Sequence, residues 1–455
     1  MPERLDPLGT IVDYHAALGA GWLRAGEALE LACANAQAPD GEGARVFARH
    51  DADIARASAV QLQRSGGRQL RGPLDRVIVS IKDNFDIAGQ VTSAGSPTRE
   101  GGTPAARDAA AVARLRSAGA ILVGRTRMSE FAYSVTGTHP DYPPPRNPWQ
   151  RAIGRIPGGS TSGGAVSVSD RMAHIALGTD TGGSLRVPAA LCGLVGFRPS
   201  LGRVPSEGLF PLSPASDTIG AMARAVDDCW RVDSVVAERP LAPRRDRAPR
   251  SFHFAVPDGL FTAQLAPPVA AAFERLLAVI GRSGASVRRL PMPVFDTLAP
   301  LQADGGITAA EAWRAHGDGG ALLACRDPLV RARILMGART DDWRLAQLKR
   351  ERAALMRRFG RELRGFDALL APTVPITAPT IAEADGAGPA AQQINQQLLR
   401  NTVAITLVGG CAISLPCHAA GNAPVGAMLA APGGHDERLF EAAFFIESLL
   451  RFAQE

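Results

Sequence analysis

Two glycine-rich stretches in this chain carry bare hydroxyls: Gly158-Gly159-Ser160-Thr161-Ser162-Gly163-Gly164 and Asp180-Thr181-Gly182-Gly183-Ser184. In the second, consecutive glycines let successive N–H groups converge into a nest that suits an anion or a developing oxyanion. A serine at the end of such a nest, opening a helical turn, has its hydroxyl beside those donors, as an acyl-transfer nucleophile requires. Ser184 is therefore the candidate nucleophile. The same residues also describe a common turn, with Asp180 capping the segment that follows.

A serine hydroxyl attacks poorly until a base takes its proton. The histidines are poor candidates: His174 lies in the apolar stretch Met172-Ala173-His174-Ile175-Ala176-Leu177 and reads as a packed core residue, and the others lie in no motif. Lysine is more informative, because the 50 basic residues include two lysines, Lys82 and Lys349, in a chain that otherwise uses arginine. Arginine stays protonated, whereas burial can neutralise lysine. Lys82 follows the β-branched run Val77-Ile78-Val79-Ser80-Ile81, where it is either a neutral amine or the partner of Asp83 or another carboxylate. Lys349 sits among arginines and glutamates in a helical stretch over 341–364 and reads as surface. The G-x-S-x-G elbow is absent at Ser160, Ser162 and Ser184, no S-x-x-K precedes Lys82, and no Walker loop is present.

GGSTSGGA, the later DTGGSLRVPAALCG and the upstream Lys82-Asp83-Asn84 together resemble the amidase signature family. The likeness extends to Met128-Ser-Glu-Phe-Ala, Asn147-Pro148, Gly193-Leu-Val-Gly-Phe-Arg-Pro, Phe366-Asp-Ala-Leu-Leu-Ala-Pro-Thr and Asn401-Thr402, covering most of residues 70–450. It implies a Ser-cisSer-Lys triad of Ser184 as nucleophile, Ser160 as bridging serine after a cis Gly159–Ser160 peptide, and Lys82 as base. It further implies that the N–H groups of Thr181, Gly182, Gly183 and Ser184 hold the oxyanion, with Gly158, Gly159, Ser162 and Asp180 supporting the loops. No metal and no cofactor is implied. Met128 and Tyr133 are expected on the substrate pocket wall, with segments around 300–340 and 375–395.

These residues need a scaffold, and strands alternating with helices suggest one: a strand over 77–81, a helix around 109–118, a strand over 120–124, a helix around 164–172 and a strand from His174. The fold class expected is α/β, a mixed, mostly parallel twisted central sheet covered by helices on both faces, a single large α/β/α amidase-signature fold. Residues 1–70 read as a helical segment packing on the core and 71–455 as the signature domain. A surface connection is expected near 236–251, the whole forming one compact domain. At 455 residues, 46% hydrophobic and 21% charged, the chain is globular in composition.

The net charge of +6 is spread along the chain without an aromatic or motif footprint, so no nucleic acid is expected. The six cysteines show neither zinc nor disulfide spacing and read as reduced packing residues. Without a signal-like start or a long apolar run, no membrane association is expected, and the expected compartment is cytoplasmic. The expected activity is an amidohydrolase cleaving a linear carboxylic amide, or a carbamate or urea-like C–N bond, with a small-molecule amide as substrate. The resemblance favours a homodimer. The alternative is the glutaminase subunit of a tRNA-dependent amidotransferase, against which Asp304-Gly-Gly-Ile-Thr-Ala-Ala-Glu311 stands where that subunit is expected to carry a Tyr-Asp-Gly-Val-Arg-Tyr-Gly-like segment. A silent anion-binding protein is the third reading, opposed by retention of Lys82, Ser160 and Ser184.

Overall fold

The computed structural model describes residues 6–66, 70–240, 247–317, 322 and 325–452. Eleven strands form one sheet in the order β1-β3-β2-β4-β6-β5-β10-β11-β9-β7-β8. They are β1 Phe47–His50, β2 Ile78–Lys82, β3 Ile121–Thr126, β4 Ile175–Asp180, β5 Val195–Arg198, β6 Thr218–Ala223, β7 His253–Pro257, β8 Ser286–Leu290, β9 Ala368–Pro372, β10 Gly410–Pro416 and β11 Gly426–Pro432. The pairings β2 with β3 and β4, and β7 with β8 and β9, are parallel. Those of β1 with β3 and of β4, β6, β5, β10, β11 and β9 in succession are antiparallel. The sheet is therefore mixed, but parallel strands are confined to two blocks instead of prevailing. The alternation of strand and helix readable from residue 77 to the strand beginning at His174 describes one block, β3-β2-β4, and does not extend through the middle of the sheet.

Both faces are covered, and the side-chain period of two divides the strands between them. Val79, Ile81, Ile175, Leu177 and Phe197 join one cluster with the helices Ala110–Ser117, Val226–Val236, Pro267–Arg282 and Asp436–Phe452. On the opposite face, Ala412, Met428 and Ala430 pack with residues of the helices Asp342–Glu362 and Pro389–Leu407. Ile78, Ile121 and Val123 meet the N-terminal helices there. The helix Ser162–Ser169 also lies on this side, where Ser80 hydrogen-bonds Ser167 at 2.8 Å. Lys82, two residues on from Ser80, shares its parity and so its face.

The N-terminal segment is not wholly helical: between the helices Ala25–Gln37 and Ala52–Gly66, β1 adds a strand to the sheet. Of the connection expected near 236–251, residues 241–246 lie outside the described residues, while Glu238 to Pro240 and the short turn Pro249–Ser251 are exposed. All six cysteines are buried and free. No helix among the described residues is long and apolar enough to cross a membrane.

Candidate active site

Strands β2 and β4 run parallel as neighbours, and the site is built where both end, at the carboxyl edge where ligands gather in α/β sheets. Lys82, the last residue of β2, is fully buried. Its Nζ lies 2.8 Å from Ser160 Oγ and 2.8 Å from Thr179 Oγ1, both neutral hydroxyls. Asn84 Nδ2 reaches the same Thr179 oxygen at 3.1 Å. Burial pushes the Lys82 ammonium from its ordinary 10.5 down to about 7, against the raising fields of Asp217 and Asp180. Lys82 does not pair with Asp83, whose carboxylate takes Arg125 Nε at 2.7 Å and the Ser93 hydroxyl.

The first glycine loop delivers Ser160. Gly158 has φ of 78°, and a Cβ there would come within 3.0 Å of the Pro188 backbone. The Gly159–Ser160 peptide is cis. The loop is held by Gly159 N donating to Val135 O at 2.8 Å and by Ser129 N donating to Ser160 O at 3.1 Å. Ser162 begins the helix Ser162–Ser169, and its hydroxyl donates to Arg127 O at 3.4 Å.

The second loop leads from β4 into the helix Arg186–Cys192. The N–H groups of Leu185 and Arg186 donate to Asp180 Oδ2, whereas those of Thr181, Gly182, Gly183 and Ser184 have no acceptor among the hydrogen bonds of the described residues. Gly183, with φ of 146°, passes so close to Thr402 that a Cβ would lie 2.4 Å from its hydroxyl oxygen. Asp180 anchors the loop from below, bonded to Arg186 Nη2 at 2.9 Å and Arg198 Nη1 at 3.2 Å, all three buried. Burial opposes its charge, but the two guanidiniums overcome this and hold the carboxyl well below the usual range. Thr181 Oγ1 donates to Asp217 at 2.6 Å, and burial raises the Asp217 carboxyl despite that bond.

Thr181, Gly182 and Ser184 line a cavity of about 420 Å³. Its other walls come from residues 132–135, from Leu212 and Ser216, from Leu301, Gln302, Gly305, Ile307 and Thr308, from the helix Pro328–Met336, from Arg352 and from the helix Pro389–Leu407. The two segments expected on the pocket wall thus contribute to it, largely as helices instead of loops, although 318–321, 323 and 324 lie outside the described residues. Tyr133 lines the cavity; Met128 does not. Met128 sits 3% exposed in an apolar cluster with Ala94, Phe131 and Leu212, beneath Gly95.

Sequence reasoning missed Thr179, Asn84 and Asp217. Thr179 directly precedes the quoted DTGGS and Asn84 closes Lys82-Asp83-Asn84, so both were within reach of a reading that asked what holds the amine. His174 is a core residue: its Nδ1 accepts from Ile78 N at 3.2 Å, and burial lowers its pKa to about 3. No group of metal-ligating side chains occurs among the described residues.

The family model described as Amidase matches residues 27–440. The chain belongs to the amidase family. It shares 35% identity over 405 residues with the 2-amino-5-chloromuconic acid deaminase of Comamonas testosteroni, covering 87% of this chain and 86% of that protein. With the A-type subunit of the glutamyl-tRNA(Gln) amidotransferase of Symbiobacterium thermophilum it shares 31% over 470 residues, covering 95% of each. Among solved structures, an amidase superposes with a TM-score of 0.85 at 31% identity, covering 96% of this chain and 99% of its own. A 6-aminohexanoate cyclic dimer hydrolase complexed with substrate superposes with a TM-score of 0.84 at 25% identity, covering 98% of both. This amidase-family chain is thus a hydrolase of carbon–nitrogen bonds.

Proposed function

We propose that the chain is a free-standing amidohydrolase that cleaves a linear carboxylic amide, or a related carbamate or urea-like donor, through a serine acyl-enzyme. The observation that carries this reading is Lys82: buried, held by two neutral hydroxyls, and with its proton affinity lowered to about 7. Such an amine is available as a base near neutral pH.

In this reading the Lys82 lone pair takes the Ser160 hydroxyl proton while Ser160 Oγ takes that of Ser184, and Ser184 Oγ bonds the carbonyl carbon. The oxyanion accepts from the open N–H groups of Thr181 to Ser184. Collapse breaks the C–N bond, and the leaving amine takes a proton from Ser160, which Lys82 resupplies. Water then attacks the ester, passing its proton along the same relay, and Ser184 is released when that proton returns to its oxygen.

Fluorophosphonate labelling followed by peptide mapping, beside a Ser184→Ala control, tests the nucleophile without the substrate. Labelling confined to Ser184 is expected; its absence from folded protein removes the proposal. A second reading, the glutaminase component of a tRNA-dependent amidotransferase, is favoured by the 31% identity to such a component over almost the whole chain. It requires a partner, so amide turnover by the purified chain alone decides against it.

A further inference from the structure

The cavity beside Ser184 holds a charge imbalance that the triad does not use. Among its described lining residues are two arginines, Arg333 and Arg352, and no aspartate or glutamate. Arg352 is accounted for by structure: it donates to the carbonyls of Thr406, Leu407 and Ala215, two of them in the last turn of the helix Pro389–Leu407. Arg333 is not. Its one acceptor among the described residues is the Tyr133 carbonyl, at 2.5 Å from Nη1, and its guanidinium carbon stands 6.0 Å from the Tyr133 ring centre.

Burial lowers the pKa of Arg333, so the charge is destabilised where it stands. Asp327, the acid whose field reaches it, is occupied in capping the same helix through Leu329 N and Val330 N. A half-buried cation with unused donors gains from an arriving anion, and the planar guanidinium fork matches a carboxylate in two parallel bonds. The arginine is also held in advance. Buried Glu130 accepts from Asp327 N at 2.7 Å and Arg326 N at 2.9 Å, tying the start of the Arg333 helix to the segment that carries Tyr133.

We infer that Arg333 anchors a carboxylate on the acyl part of the substrate, and that the cavity selects amides of small dicarboxylic acids without an ammonium group. An ammonium entering here finds two guanidiniums and no acid among the described lining residues, so a zwitterionic amide such as glutamine is rejected by an unpaired buried charge. Leu212, Ile307 and Val403 offer apolar walls to a carbon spacer, and about 420 Å³ suits a small acid. The inference rests on the hydrolase reading and names its substrate class.

Calorimetry on the Ser184→Ala chain tests it, with succinamate, glutaramate and adipamate set against the neutral butyramide, valeramide and hexanamide and against L-glutamine. At least one acid amide should bind saturably, about ten- to a hundredfold more tightly than its neutral counterpart and than glutamine. Adding Arg333→Met should erase that preference with an unchanged melting temperature. Should that variant unfold, Arg333→Gln, which keeps a donor for the Tyr133 carbonyl, makes the same comparison. Absence of acid-amide binding, equal binding of glutamine, or a preference that survives loss of Arg333 overturns the inference. Fluorophosphonate labelling of the wild-type chain separates the two proposals. Acid selectivity without labelling defeats the hydrolase reading alone, and labelling without acid selectivity defeats the substrate assignment alone.

Discussion

Lys82 and Asp180 end adjacent strands, and both are fully buried, yet their surroundings treat charge in opposite ways. Lys82 meets hydroxyls, which accept from an ammonium or donate to an amine with little preference, so burial prevails and its proton becomes labile near neutrality. Asp180 meets Arg186 and Arg198, whose fixed charges overcome the same burial and keep the carboxylate ionised. The partner, not the depth, separates a group that can exchange protons from one that holds a loop in place.

The comparison breaks most visibly at the base. Lys82→Arg keeps the positive charge but cannot shed its proton, so kcat/KM should fall about a thousandfold or more, measured by ammonia release with an unchanged circular dichroism spectrum. Wild-type-like turnover in that variant would exclude Lys82 as the base. Asp180→Asn makes the opposite cut: it leaves two buried guanidiniums without their anion. The expected loss is about 3–5 kcal/mol of unfolding free energy in urea; a loss below about 1 kcal/mol would show that hydrogen bonding without charge suffices.

The pH dependence sharpens the same contrast. With the Lys82 pKa near 7, kcat/KM should rise about tenfold per pH unit below that value and level off above it, because the proposed relay runs on the neutral amine. Asp180, already ionised, should add no limb to this profile above pH 4. A flat profile between pH 5.5 and 8 would show that the relay does not depend on that proton.

Much of this site was legible because its signals are local. Glycines beside hydroxyls, a lysine ending an apolar run and an aspartate before Thr-Gly-Gly-Ser each announce a backbone or protonation demand within a few residues. Distant demands left no such trace. Arg333 is one arginine among many, and its interest comes from the lack of acids among the described residues that line the cavity, drawn from separated stretches of chain that only folding brings together. β1 was missed because four residues with one buried side chain form no period that distinguishes a strand from a turn. Met128 was expected on the wall because it lies with Tyr133 in the segment that follows the second strand, but its side chain packs under Gly95. The antiparallel centre of the sheet escaped for a related reason: β5 and β10 are neighbours separated by some two hundred residues of chain.

The smallest effect concerns stability. Folding lowers the Lys82 pKa from 10.5 to about 7, so the folded state binds the proton less well than the unfolded chain. The resulting cost is absent above pH 10.5, grows as pH falls and is complete below about 7. Lys82→Met fills similar space without a proton to hold, so it should abolish turnover yet raise stability near neutral pH by about 1–2 kcal/mol. The gain should shrink as pH approaches 10. Urea unfolding of both chains at pH 7 and pH 9.5 measures it, and a destabilised Met variant would mean that the contacts to Ser160 and Thr179 contribute more to the fold than burying the amine costs.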